Sequence, residues 1–227
     1  MISDLLPGWV ASVEVTGSMA PEPLPAEESA ALGRLVPKRR LEFTIGRQCA
    51  REALQLLGVP RQPILVGPSR EPVWPSGIVG SITHIEGFCA AAVARRAQAA
   101  SVGIDAEAHE ALPRGVLASV ASEDEREAFK VLPTKGVFWD RVLFSAKESA
   151  FKAWFPISRR WLGFDQVRLD IQPEAAEPVR GTFTAHLLGD ELVVDGQAVK
   201  RLEGRYRVEG GRVLTAIVVP AGVPLQG

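Results

Sequence analysis

The chain has 227 residues, of which 46% are hydrophobic, and such a chain can bury the core of one large domain or of two small ones. Lysine and arginine (26 residues) balance aspartate and glutamate (27 residues), so the net charge of −1 does not indicate a nucleic-acid partner. No apolar run approaches the length of a membrane span and no signal peptide is visible, so we expect no membrane attachment. Cys49 and Cys89 lack metal-type spacing, and we interpret them as buried thiols of a cytoplasmic protein.

The first part of the chain is predicted to contain one strand and two helices. The strand covers Trp9–Val15, and a proline-rich linker separates it from a short helix at Glu27–Leu35. A long helix is predicted at Lys38–Leu57, because Gly58 and Pro60 end it.

Four arginines lie along the long helix, with only two glutamates to balance them. Arg40, Arg47 and Arg51 recur at helical spacing and form a stripe, and Arg39 lies beside it. A basic stripe is usually a solvated face. Guanidinium groups in this arrangement can also hold an anion, because each offers several N–H donors. The residues alone leave both interpretations open.

The segment Ser101–Glu107 is predicted to be a strand that carries two carboxylates on one face. Side chains alternate along a strand, so Gly103, Asp105 and Glu107 share one face and the apolar residues share the other. Two carboxylates there make a poor core surface and a good site for a hard cation. A sheet edge or a solvent-exposed face explains them equally well. A strand of small residues, Phe88–Val93, precedes this segment.

The region Gly136–Phe155 is predicted to contain a helix that begins near Val137. In it, Ser145, Glu148 and Lys152 share one face. This face can hold a metal ligand beside a phosphate clamp, a surface ion pair worth about 0.3 kcal/mol, or a capping box that uses Ser145 and Glu148. A helix start near Val137 makes the capping box the weakest of the three. The opposite face carries small residues that allow close packing: Ala146, Ala150 and Ala153.

The remaining elements are short helices and mostly antiparallel strands. Glu110–Lys135 is predicted to be helical in parts, and Gly210 and Gly211 predict a hairpin turn between the last two strands. Helices mixed with mostly antiparallel strands define the α+β class. The predicted strands of this part are Val167–Ile171, Gly181–Leu188, Glu191–Val194, Gly204–Val208 and Val213–Val219.

Three short blocks of the sequence resemble the signature of one enzyme family. They read Gly80-Ser-x-Thr-His84, Val102-Gly-Ile-Asp-x-Glu107 and Phe144-Ser-x-Lys-Glu-x-x-x-Lys152, in this order. Together with the arginine helix and the loop Glu71–Pro75, they are similar to the 4′-phosphopantetheinyl transferases of the surfactin-synthetase-activating (Sfp) type. The resemblance covers the chain from Lys38 to Val219 and is strongest to the actinobacterial members.

This resemblance implies a function and a fold. The family moves the 4′-phosphopantetheine arm of coenzyme A onto a serine of acyl or peptidyl carrier proteins of fatty-acid, polyketide or nonribosomal-peptide synthesis, and releases adenosine 3′,5′-bisphosphate. The implied fold has two similar α/β halves related by a pseudo-two-fold axis, here residues 1–104 and 105–227. Coenzyme A and Mg²⁺ are expected in the cleft between the halves. Because one chain supplies both halves, we expect a monomer.

The resemblance also implies metal ligands and catalytic residues. Asp105, Glu107 and Glu148 match the family's metal ligands, with the Ala106 carbonyl near the ion, which is Mg²⁺ or, in its place, Mn²⁺. Lys152 matches the lysine that holds the pyrophosphate. Glu148 is expected to accept the serine proton, but a metal-bound water is an open alternative. The implied catalytic residues are Asp105, Glu148, Lys152 and His84.

Coenzyme A contacts are implied at further positions. Thr83 and His84 match the phosphate-contacting pair, and Arg39 and Arg47 match arginines on a coenzyme A phosphate. Lys147 is expected to orient the nucleophile or the substrate. The complete implied set is Arg39, Arg47, Gly67, Ser69, Arg70, Thr83, His84, Asp105, Lys147, Glu148 and Lys152.

The chain departs from the family pattern at two places. Phe144 stands where the family usually has tryptophan, and we expect the packing to survive this exchange of aromatic residues. Val66 and Ser69 stand where close relatives carry lysines that help hold coenzyme A. Arg70 is expected to replace their contact through its guanidinium group.

Two other functions fit part of the pattern. A coenzyme A-binding or carrier-protein-binding module without catalysis would keep the arginines and His84, but it would not need three carboxylates and Lys152. A Mg²⁺-dependent phosphohydrolase or nucleotidyltransferase explains the carboxylates but not the arginine helix. Charge alone suggests docking residues for an acidic carrier protein, with ordinary solvated surface as the alternative: Lys130, Lys135, Arg159 and Arg160.

Overall fold

In the computed structural model of this chain, two antiparallel sheets are each covered by a helix of 20 residues. The structure describes residues 1–17, 20–30, 32–33, 36–133, 136–189 and 191–222. The helices are Ala26–Ala30 (α1), Pro37–Leu56 (α2), Val116–Val120 (α3), Glu123–Ala128 (α4) and Trp139–Ser158 (α5), with 3₁₀ turns at Ile2–Leu5, Phe129–Val131 and Phe164–Gln166. The strands are Ala11–Thr16 (β1), Leu65–Val66 (β2), Pro72–Val73 (β3), Ile78–Ile85 (β4), Phe88–Arg95 (β5), Ala99–Ala108 (β6), Val167–Pro173 (β7), Arg180–Leu187 (β8), Leu192–Val194 (β9), Gln197–Val199 (β10), Arg201–Glu209 (β11) and Arg212–Pro220 (β12).

The strand order separates the two sheets along the chain. The first sheet has the order β1-β5-β4 and the second has the order β6-β12-β11-β8-β7, while β2-β3 and β9-β10 are two small ladders. Gly210 and Gly211 form the turn between β11 and β12 with φ angles of 57° and 73°, which confirms the predicted hairpin. The mixture of helices and antiparallel strands agrees with the predicted α+β class.

The two sheets meet where β4 and β6 lie side by side. Ser81 Oγ accepts a hydrogen bond from the Ile104 N–H at 3.1 Å, and Thr83 Oγ1 accepts one from the Ala106 N–H at 3.0 Å. Both strands advance by two residues between these bonds, so they run in the same direction. Hydroxyl groups of β4 thus satisfy buried backbone donors of β6 and join the sheets along the strand that carries the carboxylates.

Helix α5 packs directly on β6 because Gly103 has no side chain. A Cβ at Gly103 would lie 2.1 Å from the Ser149 carbonyl oxygen and 2.7 Å from the Ala153 nitrogen. The small-residue face of α5 is fully buried at Ala146, Ala150 and Ala153, so the prediction of close packing is confirmed. Since the backbones approach so closely, side chains that leave α5 near Gly103 can reach the polar residues of the strand.

Helix α2 covers the first sheet with its apolar side. Cys49, Ala50, Ala53 and Leu54 are fully buried in the cluster between this helix and the sheet. Cys49 and Cys89 are free and buried, and burial raises the pKa of the first thiol to about 12 and that of the second to about 11. The predictions of a long helix here and of two buried thiols are confirmed.

The start and the end of α5 test the capping-box interpretation of Glu148 and the predicted extent of the helix. The helix starts at Trp139, so Ser145 lies inside it and the capping-box interpretation of Glu148 is wrong. The helix also continues through Pro156 to Ser158, beyond its predicted end. A proline in the last turn removes only one helical N–H donor, and the helix continues for two more residues before it ends.

Some predictions extend beyond the part of the chain that the structure describes. Helix α1 ends at Ala30, and residues 31, 34 and 35 of the predicted short helix lie outside the described residues, as does the suggested docking residue Lys135. Within the described ranges, no helix is both long and apolar enough to cross a membrane.

Candidate active site

Asp105 on β6 lies where the three signature blocks meet. Its carboxylate accepts hydrogen bonds from Lys152 Nζ at 2.7 Å, from Ser145 Oγ at 2.8 Å and from Thr83 Oγ1 at 3.3 Å. The first two donors come from α5 and the third comes from β4. Asp105 is only 5% exposed, so its charge is buried with one ion-pair partner and two hydroxyl donors. The fold therefore brings together residues that are far apart in the sequence.

Thr215 on β12 supports this centre, and sequence reasoning missed it. It is the register partner of Asp105. Its hydroxyl donates to the Ser145 carbonyl at 3.0 Å and lies 3.0 Å from Ser145 Oγ. A single threonine inside the apolar run Val213–Val219 was the available signal, because a buried hydroxyl requires a hydrogen-bond partner.

The pKa of Glu107 and that of Glu148 are both raised, by burial and also by the negative charge of the nearby Asp105. Burial is the largest cause for both, and the charge of Asp105 adds to it. The pKa of Glu107 rises to about 7 even though Arg141 Nη1 lies 3.0 Å from Glu107 Oε2. Sequence reasoning also missed Arg141, because nothing local links it to a strand residue 34 positions away. A carboxyl group with a pKa of about 7, such as that of Glu107, can exchange protons near neutral pH.

The three carboxylates offer the donor chemistry of a hard divalent cation, but they do not converge on one point. Among the described residues, no group of three or more His, Cys, Asp or Glu side chains is placed to hold a metal ion. Asp105 and Glu107 are instead engaged by Lys152 and Arg141. All the donors are oxygen atoms, and the charge of Asp105 acts on both glutamates, so the chemistry of the donor set fits Mg²⁺ or Mn²⁺. Ala106, between two of them, is buried and donates its N–H to a β4 hydroxyl.

His84, near the end of β4, contacts the start of α2. Its Nε2 contacts Arg39 Nη1, and its Nδ1 lies 3.8 Å from Glu42 Oε2. Glu42 also binds Arg39 at 3.2 Å. Burial, and then the charge of Arg39, lowers the pKa of His84, so its imidazole is neutral at pH 7. A neutral ring beside a guanidinium group offers one N–H donor without adding charge.

A cleft of about 1010 Å³ has Asp105 and His84 in its lining. The predicted loop residues Ser69 and Arg70 also line it, and Arg70 adopts a left-handed backbone with a φ of 70°. Gly67 opens this loop and accepts the Arg70 N–H at 2.9 Å. Cations in such a wall attract an anionic ligand, and aromatic rings offer it apolar surface. The cationic and aromatic lining residues are Arg39, Arg70, Arg96, Lys152, Arg159, Trp74, Phe151, Phe155 and Trp161.

Arg47 has the contacts of a buried structural arginine, and its predicted contact with coenzyme A stays a prediction. It is 4% exposed, its Nη2 donates to the Leu65 carbonyl at 3.3 Å, and its guanidinium carbon lies 4.7 Å from the Phe43 ring centre. Burial lowers its pKa to about 10. Arg51 of the same stripe donates twice to Glu28, at 2.9 and 2.7 Å. Only the start of the arginine helix, at Arg39, is in the described lining of the cleft.

Lys147 is likewise bound by groups of the protein itself. Its side chain is 2% exposed, and its Nζ donates to Glu125 Oε2 at 2.8 Å and to the Phe164 carbonyl at 2.9 Å. Glu125 itself caps α4 by accepting the Ser122 N–H at 2.8 Å. One residue of an α-helix turns the side chain by about 100°, so Lys147 and Glu148 face different neighbours. The described contacts of Lys147 support the packing of α4 on α5, and its predicted role toward the substrate stays a prediction.

Known proteins are similar to this chain over nearly its whole length. The family model of the 4′-phosphopantetheinyl transferase N-terminal domain matches residues 27–94, and that of the 4′-phosphopantetheinyl transferase superfamily matches residues 101–207. The 4′-phosphopantetheinyl transferase Svp of Streptomyces mobaraensis is 48% identical over 98% of this chain and 91% of its own. The 4′-phosphopantetheinyl transferase PptT of Mycobacterium tuberculosis is 46% identical over 87% of this chain and 86% of its own. The 4′-phosphopantetheinyl transferase Npt of Nocardia iowensis is 43% identical over 96% of this chain and 99% of its own.

Proposed function

The chain belongs to the 4′-phosphopantetheinyl transferase family, and from this premise we propose that Asp105, Glu148 and Lys152 form its reaction centre. The protein is an enzyme that transfers the 4′-phosphopantetheine arm of coenzyme A to a serine of carrier proteins. The three relatives are actinobacterial, in agreement with the resemblance that the sequence motifs carry.

The observation that supports the proposed centre is the ion pair between the buried Asp105 and the half-buried Lys152 in the lining of the cleft. Transfer displaces the phosphate on the pantetheine side of a pyrophosphate, so negative charge has to be stabilised while the serine oxygen attacks. An ammonium group held by a buried carboxylate is already oriented before the substrate arrives, and such preorganisation favours the transition state. Lys152 can donate to a pyrophosphate oxygen from this position.

The metal requirement is part of the proposal. Asp105, Glu107 and Glu148 would hold Mg²⁺, or Mn²⁺ in its place, with the Ala106 carbonyl near the ion. When bound, the metal supplies positive charge to the phosphate oxygens. The support lies in the oxygen donor set and in the raised pKa of both glutamates, to which Asp105 contributes.

The remaining residues are given roles by their place in the cleft. Arg39, Thr83 and His84 would bind coenzyme A phosphates, and Ser69 and Arg70 would hold the coenzyme from the loop that Gly67 opens. Glu148 is proposed to accept the serine proton, because burial raises its pKa toward the pH at which the enzyme works. These roles leave Arg47 and Lys147 outside the site, as their contacts suggest.

The proposed architecture has two halves related by a pseudo-two-fold axis, and the protein is proposed to act as a monomer. The predicted halves, residues 1–104 and 105–227, meet inside β6, and we place the division before Ala99 because the whole strand belongs to the second sheet. Two features support it: each sheet is covered by one 20-residue helix, and β4 and β6 run side by side in the same direction. We expect the enzyme to act in the cytoplasm on acyl or peptidyl carrier proteins.

The proposal is tested by incubating an apo acyl carrier protein with this protein, coenzyme A and Mg²⁺. Intact-protein mass spectrometry should show a gain of one phosphopantetheine group, which EDTA abolishes and added Mn²⁺ restores. Coenzyme A binding without any mass gain on several carrier proteins would instead support a binding module without catalysis. A mass gain that persists in EDTA would remove the metal from the proposal and leave the transferase in place.

A further inference from the structure

Glu71 is a carboxylate in the wall of the cleft, which also carries the cations Arg39, Arg70, Arg96, Lys152 and Arg159. Its side chain is 18% exposed. A free negative charge at this place would repel a polyanionic ligand such as coenzyme A. A carboxylate is compatible with the proposed ligand only if other groups of the protein neutralise it and fix its position. The contacts of Glu71 meet this condition from two sides.

On the local side, Glu71 closes the loop that precedes it. Its Oε2 accepts the Ser69 N–H at 2.9 Å, and its backbone carbonyl accepts the Gly67 N–H at 2.8 Å. The carboxylate folds back over Gly67, where a Cβ would lie 2.4 Å from Glu71 Cδ. Glycine is therefore needed at this position for the side chain to occupy it. The loop that carries Ser69 and Arg70 is shaped around the Glu71 carboxylate.

On the distant side, Glu71 is bound by the end of α5. Arg159 Nη1 donates to Glu71 Oε1 at 2.9 Å, across 88 residues of sequence. Arg159 is held at the helix end by its left-handed backbone, with a φ of 56°, and by its N–H bond to the Phe155 carbonyl at 2.9 Å. Helix α5 also carries Lys152 and Glu148. The pair thus connects the coenzyme loop to the helix of the reaction centre.

We propose that Glu71 and Arg159 form a latch that positions the Gly67–Arg70 loop for coenzyme A. The inference rests on the proposed function, because it assigns the latch to coenzyme A binding by a transferase. Glu71 is a positioning residue that acts through Ser69 and Arg70. An open latch would free the loop and leave an unneutralised carboxylate beside the ligand. The reaction centre at Asp105 would remain intact, since the contacts described for Glu71 and Arg159 do not involve Asp105.

The test compares Glu71→Gln, Arg159→Gln and the double variant in steady-state transfer to an apo acyl carrier protein. Each single change should raise KM for coenzyme A about fivefold, and kcat should stay within about twofold, as expected for a binding contact. In the double variant, KM for coenzyme A should be no higher than in the more impaired of the two single variants, because both changes break the same contact. Glu174→Gln is the matched control, since Glu174 also pairs with an arginine, Arg180, at 2.7 Å in an exposed position, and it should leave KM unchanged.

A second measurement does not depend on transfer. Hydrogen exchange at the Ser69 N–H should accelerate in both single variants without coenzyme A. In Glu71→Gln the amide has one acceptor oxygen where the carboxylate had two, and in Arg159→Gln the carboxylate is released from its distant partner. The latch is overturned if the two effects on KM multiply in the double variant, if neither single change alters KM, or if Ser69 exchange is unchanged. A wild-type protein that transfers nothing would overturn the proposed function, and the exchange experiment would still decide whether the latch exists.

Discussion

Helices α2 and α5 have the same length and each covers one sheet, yet they differ in what they contribute to the cleft. On α5, Ser145 and Lys152 both bind Asp105. On α2, Arg39 reaches the cleft, while Arg47 and Arg51 are buried in the protein's own structure. Both helices carry a row of polar or charged residues on one face. Only on α5 do residues of the row bind the same group of the proposed reaction centre.

The difference has a physical cause in what each helix packs against. Helix α5 lies on a glycine of β6, so its backbone comes close to the strand that carries the carboxylates. Helix α2 has its charged face covered by α1 and by the segment before the loop, where Glu28 and the Leu65 carbonyl bind the arginines. A stripe of charge therefore indicates a ligand site only when no other part of the chain supplies its partners.

The largest effect is expected from Lys152→Met. The variant loses the ammonium group that faces the proposed pyrophosphate, and kcat should fall about a thousandfold, as for the loss of one preorganised donor. KM for coenzyme A should change much less. Steady-state kinetics with an apo carrier protein would measure both parameters. A change confined to KM would contradict the role of α5 in the chemical step.

The close contact between α5 and β6 is tested by Gly103→Ala. The new Cβ would meet backbone atoms at 2.1 and 2.7 Å, so the free energy of unfolding should fall by about 3 kcal/mol. Gly8→Ala serves as the control, because a Cβ there meets nothing within 4 Å. Urea denaturation followed by circular dichroism would compare them. Equal stability of the two variants would mean that the helix does not depend on this glycine.

The division within α2 is tested by comparing Arg39→Met with Arg47→Met. The first should raise KM for coenzyme A about tenfold, since it removes a cation from the cleft. The second should leave KM within about twofold and should cost little stability, because a buried charge with an incomplete set of partners is replaced by an apolar side chain. Within the described residues Arg47 Nε has no hydrogen-bond partner. An equal rise of KM in both variants would show that the whole stripe binds the ligand.

The smallest effect concerns pH. Burial and the charge of Asp105 raise the pKa of Glu107 from its ordinary value of 4.5 to about 7, so the folded state binds more protons than the unfolded state between these values. Without metal, the free energy of unfolding should therefore decrease as pH rises from 4.5 to about 7. Metal binding requires the ionised carboxylates, so Mg²⁺ should raise Tm more at about pH 8 than at about pH 6. Thermal scans with and without Mg²⁺ would show this. A larger gain at the lower pH would exclude Glu107 as a ligand.

Local patterns predicted the elements of the fold better than the contacts between them. The two-residue alternation of β6 and the alanine face of α5 are properties of neighbouring residues, and both were read correctly. Thr215, Arg141 and the Glu125–Lys147 pair could not be found in this way, because their partners are set by the packing of distant elements. The same limit explains why the contacts of Arg47 and Lys147 within the protein were not foreseen, since the family pattern implied only a coenzyme A contact for each.

The central claim is that the buried Asp105 carboxylate is the core of the reaction centre. Asp105→Asn is the most specific variant, because it keeps the shape of the side chain and removes the charge that Lys152 binds. Asp105→Ala would also leave the Ser145 and Thr83 hydroxyls without this acceptor. The decisive measurement is the rate of phosphopantetheine transfer to an apo carrier protein, followed by intact-protein mass spectrometry, for wild type and Asp105→Asn at saturating coenzyme A. We expect rapid transfer by the wild type and a loss of at least about a thousandfold in the variant with its fold intact. Transfer by a folded Asp105→Asn variant at the wild-type rate would contradict the account.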